Sequence, residues 1–83
     1  MSRITREERY LLKFAELVDD STDLPLGRYI VGRELGLLPP ATDVLVRDLM
    51  QTNFLRKGEE EGELLLTPHG LSLINTLRAD IGK

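Results

Sequence analysis

The sequence predicts a mainly helical α+β domain in which three helices are followed by a two-stranded β-hairpin and a closing helix. Three local signals carry that expectation. Thr5-Arg6-Glu7-Glu8 has the composition of a capping box ahead of an apolar stripe at helical spacing, so a helix opens there. Gly58-Glu59-Glu60-Glu61-Gly62 separates two short runs with strand character, which reads as a hairpin. Thr67-Pro68 supplies an N-cap and a proline at the first helical position, so the chain returns to helix directly after the hairpin.

Along the first helix, Leu11, Phe14, Ala15 and Val18 recur at helical spacing and line one face. The polar stretch Asp19-Asp20-Ser21-Thr22-Asp23 favours turns and ends it. A second helix is expected over about residues 25–35, opened by Pro25, closed by Gly36 as a left-handed cap, and buried through Leu26, Tyr29, Ile30 and Leu35. Within it, Gly32 costs about 1 kcal/mol of helix propensity relative to Ala, which points either to a close helix contact or to a weak helix. Pro39-Pro40 bars continuation, and a third helix is expected over about 41–52 with Leu45, Val46 and Leu49 inward and Asn53 ending it in a left-handed conformation. Phe54 and Leu55 lead into an edge strand, residues 63–67 form its partner, and the last helix takes its spacing from Leu71, Ile74, Leu77 or Arg78, and Ile81. Phe14, Ile30, Leu45, Leu49, Leu66 and Ile74 are the expected core.

Size and charge bound the function. A chain of 83 residues has room for one domain, divided here into an arm (1–4), a three-helix part (5–53), a hairpin (54–67) and a last helix (68–83). Such a chain buries only about 60 to 65% of its unfolded surface, which makes a homodimer a natural expectation. The pair Leu73 and Leu77, set apart from the Leu71 and Ile74 stripe, is the expected dimer contact, with packing inside the monomer as the other reading. No apolar run is long enough to span a bilayer, and the arginine-rich start lacks the apolar centre of a signal peptide, so a cytoplasmic protein without membrane contact is expected. With no cysteine and one histidine, thiolate chemistry and clustered metal ligands fall away, and no cofactor is expected. Lys and Arg number 11 against 14 Asp and Glu, a net charge of −3, which counts against nonspecific nucleic-acid binding.

The order of elements, with three local motifs, resembles the winged helix-turn-helix family of MarR-like and PadR-like regulators. Val31-Gly32-Arg33-Glu34-Leu35-Gly36-Leu37 is similar to the family's second-helix pattern. Leu45-Val46-Arg47-Asp48-Leu49 with Asn53-Phe54-Leu55-Arg56 resembles the end of its recognition helix and the approach to its wing, although Asn53 stands where Gly is usual. Leu66-Thr67-Pro68-His69-Gly70 resembles its Leu-Thr-x-x-Gly step into the next helix. The resemblance covers roughly residues 5 to 80. It implies a transcriptional regulator that places its third helix in the major groove of double-stranded DNA.

On that helix the outward residues are Ala41, Asp43, Val44, Arg47, Asp48 and Gln51. Arg47 and Gln51 suit guanine and adenine edges, Val44 suits a thymine methyl or a protein surface, and Asp43 and Asp48 repel phosphate. Further cations are Arg6, Arg9 and Lys13 on the first helix, preceded by Arg3, and Arg56 and Lys57 at the wing base; Arg28 and Arg33 extend the first group. The wing tip Glu59-Glu60-Glu61 is unsuited to DNA and reads either as a solvated turn or as a contact for a basic protein partner. His69 has no second ligand beside it and reads as a surface residue, and adjacent carboxylates such as Glu7-Glu8 and Asp19-Asp20 diverge, so no acid and base pair is positioned and no enzyme is expected. Two functions remain: a DNA-binding regulator, or a winged-helix protein-interaction module without DNA contact.

Overall fold

A computed structural model describes residues 4–81, with the side chain of Ile81 left out. Among the described residues the order is α1 (Arg6–Leu17), β1 (Leu26–Gly27), α2 (Arg28–Glu34), α3 (Pro39–Gln51), β2 (Leu55–Lys57), β3 (Glu63–Leu66) and α4 (Pro68–Ile81). Four helices accompany a three-stranded antiparallel sheet, and among the described residues no helix is long and apolar enough to cross a membrane.

The capping box at the start of α1 is complete: Glu8 N–H donates to Thr5 Oγ1 at 3.1 Å, and Thr5 N–H donates to Glu8 Oε1 at 2.9 Å. The helix buries Tyr10, Leu11, Phe14 and Ala15, with Val18 following at its cap. Asp19 and Asp20 then take left-handed conformations, at φ 52° and 62°. Two such residues in succession are uncommon outside glycine, and they are held by the Asp20 amide on the Ala15 carbonyl (2.8 Å) and the Asp20 carboxylate on Arg78 of α4 (2.7 Å).

The expected second helix over 25–35 is divided in two. Leu26 and Gly27 leave the helical pattern and pair with Leu64 and Glu63, so a third strand exists that the hairpin expectation did not include. This pairing joins residues far apart in sequence, which local periodicity cannot register. As a result β3 is the central strand, flanked by β1 and β2, and Leu64, Leu65 and Leu66 are all buried. A strand covered on both faces reads as a continuous apolar run. The shortened α2 buries Val31 and Gly32, while Tyr29 and Ile30 turn outward at 44% and 49% exposure. Ile30 is therefore not core. The other expected core residues, Phe14, Leu45, Leu49, Leu66 and Ile74, are all buried, joined by Tyr10, Val31, Leu55 and Leu64.

Gly36 (φ 72°) ends α2 and Asn53 (φ 63°) follows α3 in the expected left-handed conformations. Pro39 and Pro40 lie beyond the end of α2 and open α3 two residues before the expected start at 41, occupying its first positions, where an amide hydrogen has no intrahelical partner to lose. Thr42, Leu45, Val46 and Leu49 form its buried side. Gly32 lies directly against Thr42: a Cβ at residue 32 would overlap the Thr42 hydroxyl and come within 3.2 Å of its methyl carbon. The close helix contact is thus the reason for the mid-helix glycine.

Thr67 ties three elements together. Its hydroxyl donates to the carbonyl of Asn53 (2.6 Å), lies 3.1 Å from that of Phe54, and accepts from the Gly70 amide at 2.9 Å. It caps α4 while fixing where the chain leaves α3. Gly70 itself sits so close to the Phe54 carbonyl that no side chain fits.

Two outcomes follow from this packing. Gly32→Ala should cost about 1 to 3 kcal/mol in urea denaturation, and at least about 1 kcal/mol less when Thr42→Ala is already present, because the second change removes the atoms in the way. Tyr10, buried beneath the start of α2, donates its phenol to the Arg28 carbonyl at 2.7 Å, and burial raises the phenol above its ordinary value of 10.0. The folded chain therefore keeps the proton that the unfolded chain loses, so this stability is whole below pH 10.0 and is lost as pH rises beyond it. In denaturation series from about pH 8 to about pH 11, Tyr10→Phe should flatten the alkaline decline while costing about 1 kcal/mol at neutral pH.

Candidate nucleic-acid interface

On α3 the helical period sets Val44, Arg47 and Gln51 together with Pro40 on the side opposite Leu45 and Leu49, and all four are exposed. The Arg47 side chain is 66% exposed, and its Nε lies 4.0 Å from Asp48 Oδ1. That contact is long and open to solvent, so the guanidinium is free to exchange it for another anion.

Asp43 is at the edge of the same helix, but its carboxylate is engaged. Tyr29 Oη donates to Oδ1 at 2.8 Å, and Arg28 Nη1 approaches the same oxygen at 3.4 Å. The hydrogen bond to Asp43 holds the Tyr29 phenol protonated beyond its ordinary range. Arg28 is only 18% exposed, and its buried Nε has no partner. Arg28 therefore serves the α2 to α3 junction and does not extend a basic surface.

A groove of about 900 Å³ runs between α2 and the hairpin. Tyr29, Ile30 and Arg33 form its helical wall, and Lys57 and Glu59 to Glu61 its hairpin wall. Arg56 and Lys57 are exposed on β2, and Glu59, Glu60 and Glu61 are exposed at the tip. Arg6 and Arg9 are exposed on α1, whereas Lys13 bonds Glu16 at 3.2 Å. Their spacing places all three on the side of α1 opposite Leu11, Phe14 and Val18, so the stripe points away from the core to which α3 is packed. Arg3 lies outside the described residues. The structure thus brings Val44, Arg47 and Gln51 together on one helix face, and sets the α1 cations apart from them.

A second, smaller groove of about 300 Å³ lies at the other edge of α3, lined by Leu11, Leu49, Phe54 and Leu73, with Glu7, Glu8 and Asp48 around it. Leu73 packs against the core, and Leu77 is half-buried. His69 is exposed and stacks on Phe54, ring centroids 4.7 Å apart and planes 8° from parallel. Sequence reasoning missed Tyr29 as the partner of Asp43 and both grooves. A tyrosine and an aspartate 14 positions apart carry no local signal of contact.

Comparison with known proteins returns no family model, no curated protein and no solved structure that matches this chain.

The Arg28, Tyr29 and Asp43 cluster makes a specific stability claim. Asp43→Ala leaves a mostly buried guanidinium without its anion and should cost about 1 to 3 kcal/mol, whereas Tyr29→Phe, which removes one exposed hydrogen bond, should cost under about 1 kcal/mol in the same thermal melts.

Proposed function

We propose that this chain is a winged helix-turn-helix DNA-binding domain of a transcriptional regulator, with α2 and α3 as the helix-turn-helix, α3 as its recognition helix and the β2–β3 hairpin as its wing. The observation that carries the reading is the exposed face of α3, where Val44, Arg47 and Gln51 stand clear of the core on a helix whose opposite side is buried. A helix of this kind fits the major groove, where Arg47 is suited to a guanine edge, Gln51 to adenine, and Val44 to a thymine methyl. The capture of Asp43 by Tyr29 and Arg28 supports the reading further, because it lowers the repulsion that a free carboxylate beside Arg47 would exert on phosphate. Arg56 and Lys57 on β2 supply cations beside the wing tip.

The exposed Glu59, Glu60 and Glu61 favour a second reading, a protein-interaction module that receives a basic partner in the α2 to hairpin groove. The two readings separate by salt dependence. DNA contact requires a falling line of log affinity against log salt, since counterions are released from each neutralised phosphate. Against duplexes selected from a random pool, Arg47→Ala should cost about 1 to 3 kcal/mol and relax sequence preference, while Lys57→Ala should weaken all sequences alike and reduce the salt slope by about one unit. Replacing Glu59, Glu60 and Glu61 with Gln should strengthen binding most at low salt. Absence of any salt-dependent duplex binding at low ionic strength would reject the DNA reading in favour of the interaction module.

A further inference from the structure

Where α3 is exposed along its first two turns, it offers hydrocarbon. Leu38 at the N-cap is 75% exposed and Val44 is 48% exposed, with Pro39 and Pro40 exposed between them. Pro40, Val44 and Arg47 follow one another at helical spacing and share a face. Leu38 makes no side-chain cap, and Pro39 and Pro40 have no amide hydrogen, so two of the four donors with which a helix start meets a phosphate are missing. Asp43, the one carboxylate of those turns, is held by Tyr29 and Arg28. The start of α3 is thus apolar, and the first charge along its exposed face is the Arg47 guanidinium.

In the major groove the hydrocarbon of a base pair is the methyl group at C5 of a pyrimidine. Thymine carries it and so does 5-methylcytosine, whereas uracil and cytosine carry hydrogen there. Val44 and Arg47 are separated by about 4.5 Å along the helix axis, close to the spacing of about 3.4 Å between successive base pairs. When Arg47 takes the O6 and N7 atoms of a guanine, Val44 therefore stands over the neighbouring pair.

We propose that α3 reads a two-base step, a guanine beside a 5-methylated pyrimidine, with Arg47 on the guanine and Val44 on the methyl group. The ligand is then duplex DNA with thymine or 5-methylcytosine at that position, in preference to uracil or cytosine. The inference rests on the DNA reading and adds to it the chemical group that the apolar part of the face distinguishes. Pro40 extends the apolar surface by one turn, so Val44 is flanked by hydrocarbon on one side and by the guanidinium on the other. A base with hydrogen at C5 forgoes the burial of one methyl group, worth about three- to fivefold in affinity.

The test is a fluorescence-anisotropy titration of the full chain with the tightest duplexes selected from a random pool. Each is remade with uracil in place of every thymine in turn, and with cytosine or 5-methylcytosine at the position beside the guanine. Uracil beside the guanine should weaken binding about three- to fivefold, and 5-methylcytosine should bind more tightly than cytosine by about the same factor. Val44→Ser, a change at an exposed position, should erase both differences while leaving affinity for the uracil duplex unchanged. Arg47→Ala should instead weaken the thymine and uracil duplexes alike. Equal affinity for thymine and uracil, equal affinity for cytosine and 5-methylcytosine, a preference that survives Val44→Ser, or selected sites with no thymine beside a guanine would overturn the inference, while salt-dependent binding would still uphold the DNA reading. Absence of any salt-dependent duplex binding would overturn both, and the apolar start of α3 would then fall to a protein partner.

Discussion

Where α2 crosses α3, Gly32 and Thr42 bring the two helices nearer than any side chain at residue 32 would permit, and the aim of α3 depends on that approach. With Thr42, Leu45, Val46 and Leu49 drawn inward, the helical period leaves Val44, Arg47 and Gln51 on the outside. The far end of α3 is fixed by Thr67, whose hydroxyl reaches the carbonyls of Asn53 and Phe54 and the amide of Gly70. Between these two anchors α3 has little freedom to roll, so which residues it exposes is a property of the packing.

Charge is distributed with less uniformity than its sum of −3 suggests. Several charges are occupied inside the molecule: Arg28 with Asp43, Arg78 with Asp20, Lys13 with Glu16. The exposed charges divide by region, among them Arg47 on α3, Arg33 on α2, Arg6 and Arg9 on the outer side of α1, Arg56 and Lys57 on β2, and three glutamates at the hairpin tip. The screening length at physiological salt is about 8 Å, so a local face matters more to an encounter than the total does. An acidic chain can therefore carry a cation on the exposed face of α3 while its hairpin tip remains acidic.

Tyr10 and Arg28 show how the core supports that face. The phenol of Tyr10, inside the core, holds the Arg28 carbonyl, and the Arg28 side chain in turn reaches Asp43 on α3. One continuous set of contacts runs from α1 through the start of α2 to the edge of α3, and Tyr29 closes it from outside.

Much of the fold was legible from short-range signals. The Thr5 capping box, the Gly36 and Asn53 caps, the Thr67-Pro68 helix start and the Gly58 to Gly62 turn each depend on residues within a few positions of one another, and each stands in the structure where the local chemistry placed it. Of the six outward residues of α3, Val44, Arg47 and Gln51 are exposed and were legible for the same reason, since a helix of known phase needs only its apolar residues to orient it, whereas Ala41, Asp43 and Asp48 are half-buried at its edges. Tertiary structure alone decided the rest. Leu26 and Gly27 became a strand because β3, 37 residues on, offered them hydrogen-bond partners, and that pairing shortened α2 and turned Ile30 out of the core. The engagement of Asp43 by Tyr29 and Arg28, and the gathering of Leu11, Leu49, Phe54 and Leu73 around one groove, likewise join residues from separate elements. Periodicity and capping are properties of a few successive residues, whereas strand pairing and grooves arise only when distant segments meet, and no pattern along the chain encodes which segments those are.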